Sequence, residues 1–447
     1  MTERRPLPIG IQTFEEIRTK NYIYVDKTQF IEKLLNVGKP YFLSRPRRFG
    51  KSLFLSTLRS YFEGRKDLFE GLAISKSETE WKEYPVIHLD FTGKNYLTYN
   101  DLLIQLDDML SEYEELYGKH TESKDIAIRF RNLIKAAHEK TGNQVVVLVD
   151  EYDKPLLQNI ENTELVDEIR SALKGFYGNL KSEDRFLRFI FITGVTRFDK
   201  VSIFSDVNNM RDISLSEDYT SICGITQEEL EETFASEIKE MAEKNELTEA
   251  DCLEKLKKNY DGYHFSKDIG TDIYNPFSLL NAFADFDFGS YWFSTGTPTF
   301  LTKMMKDINF DYTSLENEIE VGRRTIENYR LDAQNTLPML YQSGYITIKN
   351  YEKEFDSFIL GLPNEEVRYG LYENLVPLFA GYQGKTDNIE VLNFIKELRA
   401  GKVDEFMERI NSKDYPIAYK GDGRKIVKVG VNYSSTEEQL TEWLIER

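Results

Sequence analysis

Three short stretches carry the residue types that phosphate chemistry needs. The first is Arg45-Pro46-Arg47-Arg48-Phe49-Gly50-Lys51-Ser52. Its last three residues complete the pattern Gly-x-x-x-x-Gly-Lys-[Ser/Thr] of a phosphate-binding loop, with Arg45 standing where the first glycine belongs. Successive N–H groups at a helix start form an anion nest, so the chemistry survives that replacement. Lys51 is expected to reach the β- and γ-phosphates and the Ser52 hydroxyl to ligate Mg²⁺. Arg45, Arg47 and Arg48 add positive charge, and with Pro46, Phe49 and Gly50 they complete the nucleotide-binding set. A basic loop capping an ordinary helix is the plainer alternative. The second stretch is the apolar run Val145–Val149 followed by Asp150 and Glu151, 99 and 100 residues beyond Lys51. A buried strand ending in Asp-Glu is the Walker B arrangement: Asp150 would hold Mg²⁺ and Glu151 would polarise the attacking water. Adjacent acids at a strand end are otherwise surface residues or helix caps. The third is Thr193-Gly194-Val195-Thr196-Arg197, where Thr193 could sense the γ-phosphate and Arg197 could act as sensor or finger. A polar strand end is the alternative there.

The elements around these stretches are those that would bring them together. Tyr41–Ser44, Val86–Phe91, Gln144–Asp150 and Arg188–Gly194 read as buried strands. Between them lie helical patterns: Leu53, Phe54, Leu55, Leu58, Tyr61 and Phe62 at helical spacing, then segments near 100–117, 124–140 and 162–180. Strands alternating with helices predict an α/β fold with a central, mostly parallel sheet, and ligands at the strands' C-terminal ends. Residues 216–330 read as mostly helical. Beyond them a helix over 331–343, a hairpin of Tyr345–Ile348 and Phe358–Leu362, and a helix capped by Asn364 suggest a winged-helix module. Asp26-Lys27-Thr28-Gln29 reads as a helix cap of the capping-box type, His264 as a turn residue, and His88 and Trp292 as structural.

Composition narrows the classes. The 447 residues carry 57 Lys and Arg against 76 Asp and Glu, a net charge of −19, which argues against a generally polycationic nucleic-acid binder. Residues 1–60 oppose that trend, with 12 Lys and Arg against 5 acids, so an anion is expected at this end. Two cysteines, Cys223 and Cys252, and four histidines make a disulfide framework or a dedicated transition-metal centre improbable. With no apolar leader and no long apolar run, the reading is a cytoplasmic protein without membrane contact.

The chain also resembles bacterial AAA-like P-loop ATPases that carry a C-terminal PD-(D/E)XK nuclease-like domain. The resemblance rests on Leu7–Phe14, Tyr24–Thr28, Arg45–Ser52, Asp150–Pro155, Thr193–Thr196, Tyr260–Tyr263, Tyr274–Ser278 and Thr295–Pro298. It covers most of residues 5–380, and arginine at position 45 is usual in such proteins. It implies a P-loop NTPase of the additional-strand, catalytic-glutamate type, followed by a helical lid and a winged helix. The nuclease core that follows in the family carries a Gly-Arg-x-Asp and a later Glu-x-Lys. Here no Glu-x-Lys follows Glu354, and Gly423-Arg424 is followed by Lys425-Ile426. Residues 414–433 and Trp443 look like the family's C-terminus, so the resemblance implies a nuclease core deleted at a junction near Ile410–Lys413. The expected organisation is an ATPase domain over 1–215, a helical lid over 216–330, a winged-helix-like module over 331–385 and an α+β remnant over 386–447.

The function expected is ATP hydrolysis with Mg²⁺, driving a switch of lid and winged helix. The rival is a nucleotide-gated scaffold with little turnover, and an active nuclease is the least favoured. A protein partner or a second copy of the chain stays open. DNA binding through the winged helix also stays open, but Glu365, Glu366 and Glu373 dominate the helix after the hairpin with only Arg368 opposing, which favours a protein–protein or intramolecular role.

Overall fold

In the computed structural model, residues 5–197, 203–204, 207, 209–292, 318–327 and 337–371 are described, together with the backbone of 428–434 and 439–446. Two compact units divide the chain, Met1–Arg368 and Tyr369–Arg447.

The first unit is built on a five-stranded sheet in the order β2-β3-β4-β1-β5, all neighbours parallel. Its strands are β1 (Pro40–Ser44), β2 (Val86–Asp90), β3 (Val145–Asp150), β4 (Leu187–Gly194) and β5 (Arg211–Asp212). β3 is buried along its whole length, as its unbroken Val/Leu run requires of a strand covered on both faces. The connecting helices are α1 (Phe14–Thr19), α2 (Gln29–Val37), α3 (Lys51–Phe62), α4 (Tyr99–Tyr117), α5 (Ile126–Thr141), α6 (Lys154–Leu157) and α7 (Thr163–Ser182). Local signals set their ends. Thr98 and Asp101 form a reciprocal capping box at α4, Asp125 and Asn162 cap α5 and α7, and Gly142 in a left-handed conformation stops α5.

The order of strands matters more than their number. β4 is later in sequence than β3 yet inserts between it and β1. In register, Ser44 lies opposite Gly194, and Leu43 opposite Thr193. The chain therefore delivers the ends of β1, β4 and β3 to one rim, and its direction of winding reverses beside β1, where α/β sheets open a crevice. The strand β5, two residues long, was not expected; it is too short to show any period.

The helices α8 (Gln227–Thr233), α9 (Ala235–Lys244), α10 (Glu249–Tyr260) and α11 (Pro276–Asp285) follow. Leu230, Phe234, Met241, Leu256, Leu279 and Phe283 form their core, which also takes in Ile23 from the N-terminal stretch. A three-stranded antiparallel sheet comes next, ordered β6-β8-β7, from β6 (Ile319–Gly322), β7 (Thr347–Glu352) and β8 (Ser357–Gly361). It is accompanied by α12 (Arg323–Glu327) and α13 (Leu337–Ser343). The side chains of Pro338–Ser343 are all buried. Asn364 caps the helical residues that follow, accepting from Val367 N–H at 3.1 Å.

One local expectation is corrected. Asp26 does not cap α2: its Oδ1 accepts from the N–H and hydroxyl of Thr28, and its Oδ2 from Ala73 N–H at 2.7 Å. The short side chain bonds its own turn and pulls in a distant segment instead. In the second unit, β9 (Lys428–Ser434) pairs antiparallel with β10 (Gln439–Glu446). Thr295–Pro298, most of the stretch 386–447 and the expected junction near Ile410–Lys413 lie outside the described residues.

Candidate functional site

The loop between β1 and α3 has the backbone of an anion nest. Arg48 and Gly50 both take left-handed φ, +69° and +94°. Gly50 has open space around it, so the backbone angle, and not crowding, calls for glycine. The first helical bond runs from Phe54 N–H to Gly50 C=O, leaving the N–H groups of Lys51, Ser52 and Leu53 without a helical acceptor. Lys51 is only 4% exposed. Its ammonium donates to the carbonyls of Arg45 (3.0 Å) and Pro46 (3.1 Å) and stands 3.9 Å from a Glu151 carboxylate oxygen. Ser52, the second residue of α3, is half-buried.

The loop's other side chains are mostly committed to scaffolding. Arg45 is 1% exposed and turned away from the nest. Its guanidinium donates to the carbonyls of Ser44, Ser214, Tyr219 and Thr220 and lies 4.2 Å from the Phe265 ring centre. Burial lowers its pKa to about 10, so the group stays charged at neutral pH. Arg45 is thus the clamp that fixes the loop to residues 214–220, which corrects its expected role as a cation facing the phosphates. Phe49 packs edge-on against Tyr263 and Phe265, and its carbonyl accepts from Gly224 N–H. Arg47 C=O accepts from the indole N–H of Trp292 at 3.1 Å. Pro46 sits so close to Gly344 that a side chain there would collide with it. Arg48 is exposed, its guanidinium over the Phe277 ring.

On the opposite rim, Asp150 is buried and accepts from the Thr193 hydroxyl at 2.7 Å. Glu151 holds a left-handed φ of +50°, uncommon for a residue with a side chain. Arg197 pairs with Asp212 of β5 at 2.6 Å, and its backbone N–H donates to the Gln342 side chain at 2.9 Å. Two of its guanidinium nitrogens, Nε and Nη1, have no hydrogen-bond partner among the described residues. The fold thus brings Lys51 to Glu151 and Asp150 to Thr193, while it ties Arg197 to the edge strand. No cluster of three or more His, Cys, Asp or Glu fit to hold a metal occurs among the described residues.

Sequence reading missed three features. Asp153 joins the acidic turn to the Thr193–Arg197 segment. Trp292 touches the loop as well as the core. A largely apolar cavity of about 90 Å³ opens beside Phe49 and Gly50, lined among others by Pro8, Val25, Leu53, Ile225 and Pro276. Its walls come from four separated stretches, so no local pattern announces it.

An open parallel α/β sheet whose β1 runs into a Gly-Lys-Ser loop and helix defines the class of P-loop NTPase-like proteins. Residues 8–204 match a family described as predicted AAA-ATPase, AAA-ATPase-like. A protein of Azotobacter chroococcum mcd 1, described as an uncharacterized protein in the vnfD 5' region, is 37% identical over 376 residues, 83% of this chain and 70% of that protein. The chain belongs to this AAA-ATPase-like family. No described helix is long and apolar enough to cross a membrane.

Proposed function

We propose that the protein binds ATP with Mg²⁺ and hydrolyses it. One observation carries the reading: the Lys51 ammonium and the Glu151 carboxylate converge to 3.9 Å at the mouth of a loop whose helical amides lack acceptors. Those amides and Lys51 would take the phosphates. Ser52 and Asp150 would hold Mg²⁺, which when bound neutralises charge on the β- and γ-oxygens. A site offering few protein oxygens suits an ion that keeps waters and phosphates as its other ligands. Glu151 would accept the proton of the attacking water, and Thr193 would sense the terminal phosphate while steadying Asp150. The apolar cavity beside Gly50 would receive the base.

Elements from later in the chain would feel the nucleotide, because Phe49, Arg47 and Pro46 each touch them. We read α13, β7 and β8 as the winged-helix-like module, joined by β6 and α12 from the end of the stretch expected as lid, with residues 216–292 in the lid. The α13 side chains from Pro338 to Ser343 are buried, which supports an intramolecular or protein-facing role for the module over DNA readout. A cytoplasmic setting agrees with the unpaired, buried Cys223 and Cys252. Nuclease activity is not part of the proposal.

A second reading, a nucleotide-gated scaffold with slow turnover, is favoured by the pairing of Arg197 with Asp212, which occupies the candidate finger. An arginine from a partner or a second copy would then complete the site. ATP binding and phosphate release, measured for the wild type, Lys51→Ala and Glu151→Gln, test both. The hydrolase reading expects binding lost in the first variant, and binding kept with turnover lost in the second. Binding without turnover in the wild type selects the scaffold, and no binding at all overturns both readings.

A further inference from the structure

We propose that Asp153 is a positioning residue for Glu151, locking the acidic turn to the Thr193–Arg197 segment so that the carboxylate meets its water in one fixed geometry. The inference rests on the hydrolase reading of the site. It starts from an aspartate that does not do what its place suggests. Asp153 is the N-cap of α6, yet its side chain makes no capping bond. Instead one carboxylate oxygen crosses to the continuation of β4 and accepts three hydrogen bonds: from Val195 N–H (3.0 Å), Thr196 N–H (2.6 Å) and the Thr196 hydroxyl (2.6 Å).

Neighbouring contacts close the same seam. Tyr152 N–H donates to Thr193 C=O at 3.1 Å, and the Tyr152 hydroxyl to Thr196 C=O at 3.1 Å. On the other side of Glu151, Asp150 accepts from Thr193. The left-handed Glu151 is therefore held at both flanks to one facing segment, four residues long. A strained backbone persists only where its surroundings over-determine it, and here the surroundings are these bonds. Gly194 permits the approach: a side chain there would stand 2.6 Å from the second Asp153 oxygen and 2.7 Å from the Tyr152 ring. That second oxygen has no hydrogen-bond partner among the described residues, and Asp153 is wholly buried. A buried carboxylate left half satisfied is poorly explained as a stability device, because an orphaned polar atom costs free energy. It is well explained as a clamp that trades stability for position. The clamp also reaches Arg197, the next residue, whose backbone and side chain bind Gln342 and Asp212.

The test is steady-state hydrolysis by the full chain with Mg-ATP, for Asp153→Ala, Asp153→Asn and Thr196→Ala, with folding followed by thermal melting. Asp153→Ala is expected to lower kcat tenfold or more while KM moves less than twofold. Asp153→Asn keeps an oxygen for the two N–H groups and is expected to recover part of the loss, and to serve if the alanine variant fails to fold. Asp153→Ala combined with Thr196→Ala should be no worse than Asp153→Ala alone, since both remove one seam. A folded alanine variant with wild-type kcat overturns the assignment, as does a loss that only tracks the folded fraction. Turnover absent from the wild type itself removes the hydrolase reading and this inference with it. Turnover present and insensitive to Asp153 removes only the inference.

Discussion

The Gly-Lys-Ser loop and the acidic rim meet where Lys51 stands 3.9 Å from Glu151, but they are held by opposite means. Residues 45–50 are gripped from outside: Arg45 by carbonyls at 214–220, Phe49 by Tyr263 and Phe265, Arg47 by Trp292. Residues 150–153 are held by one adjacent segment, 193–196, through backbone and short side chains. A loop held by remote elements can report to them. A rim held mainly by its neighbouring strand has less room to move. Under the proposed function, the contrast would place binding-coupled movement in the first and chemistry in the second.

Changes on each side should break this contrast in different currencies. The largest effect is expected on the rim. Glu151→Gln should lower phosphate release on the order of 10²–10⁴-fold with ATP affinity nearly unchanged, read by single-turnover assay and equilibrium binding. Next, Arg45→Ala strips a buried guanidinium from four carbonyls and should cost about 3 kcal/mol in chemical denaturation. Arg45→Lys should not rescue it, because one ammonium cannot span that fork.

A smaller effect should come from Asp261, two residues before the Tyr263 that supports Phe49. Burial, then the charge of Asp272, raises its pKa to about 7, against the opposing pull of Lys257 and His264. The folded chain holds this proton more tightly than the unfolded one. Its stabilising contribution is therefore complete below about pH 4, shrinks as pH climbs, and is gone above about 7. Asp261→Asn should gain on the wild type by on the order of 2–3 kcal/mol between pH 5 and pH 8, followed by denaturation at each pH. The smallest is Trp292→Phe, which keeps the ring packing and deletes the bond to Arg47. About 1 kcal/mol of stability and a few-fold in ATP affinity are expected, with kcat unchanged. Equal losses of kcat in Trp292→Phe and Asp153→Ala would erase the distinction between the two regions.

Much of this architecture is readable along the chain. The strands β1 to β4 and helices α4, α5 and α7 fall within a residue or two of their periodic patterns, because alternation, apolar runs and caps act over neighbouring residues. The Gly-Lys-Ser and Asp-Glu stretches stand where sequence reading puts them. The inward turn of Arg45 is not legible along the chain, because a basic loop looks the same whether its arginine faces solvent or the interior. The acceptor role of Asp153 is not legible along the chain, because it depends on Val195 and Thr196, more than forty residues away. Asp26 has the local spacing of a cap, and that spacing does not reveal the contact with Ala73.

What the sequence determined by itself is the set of local preferences: which stretches become strands, where helices start, and which side chains have the chemistry that phosphate binding or proton transfer would need. Only the tertiary structure decided that β4 lies between β1 and β3, setting Thr193 beside Asp150. Likewise it alone decided that Trp292 reaches Arg47 across 245 residues and that one arginine of the loop points inward. Local preferences arise from backbone sterics and side-chain periodicity, which neighbours share. Strand order and buried polar pairing arise from packing a single core, which no short window of the chain contains.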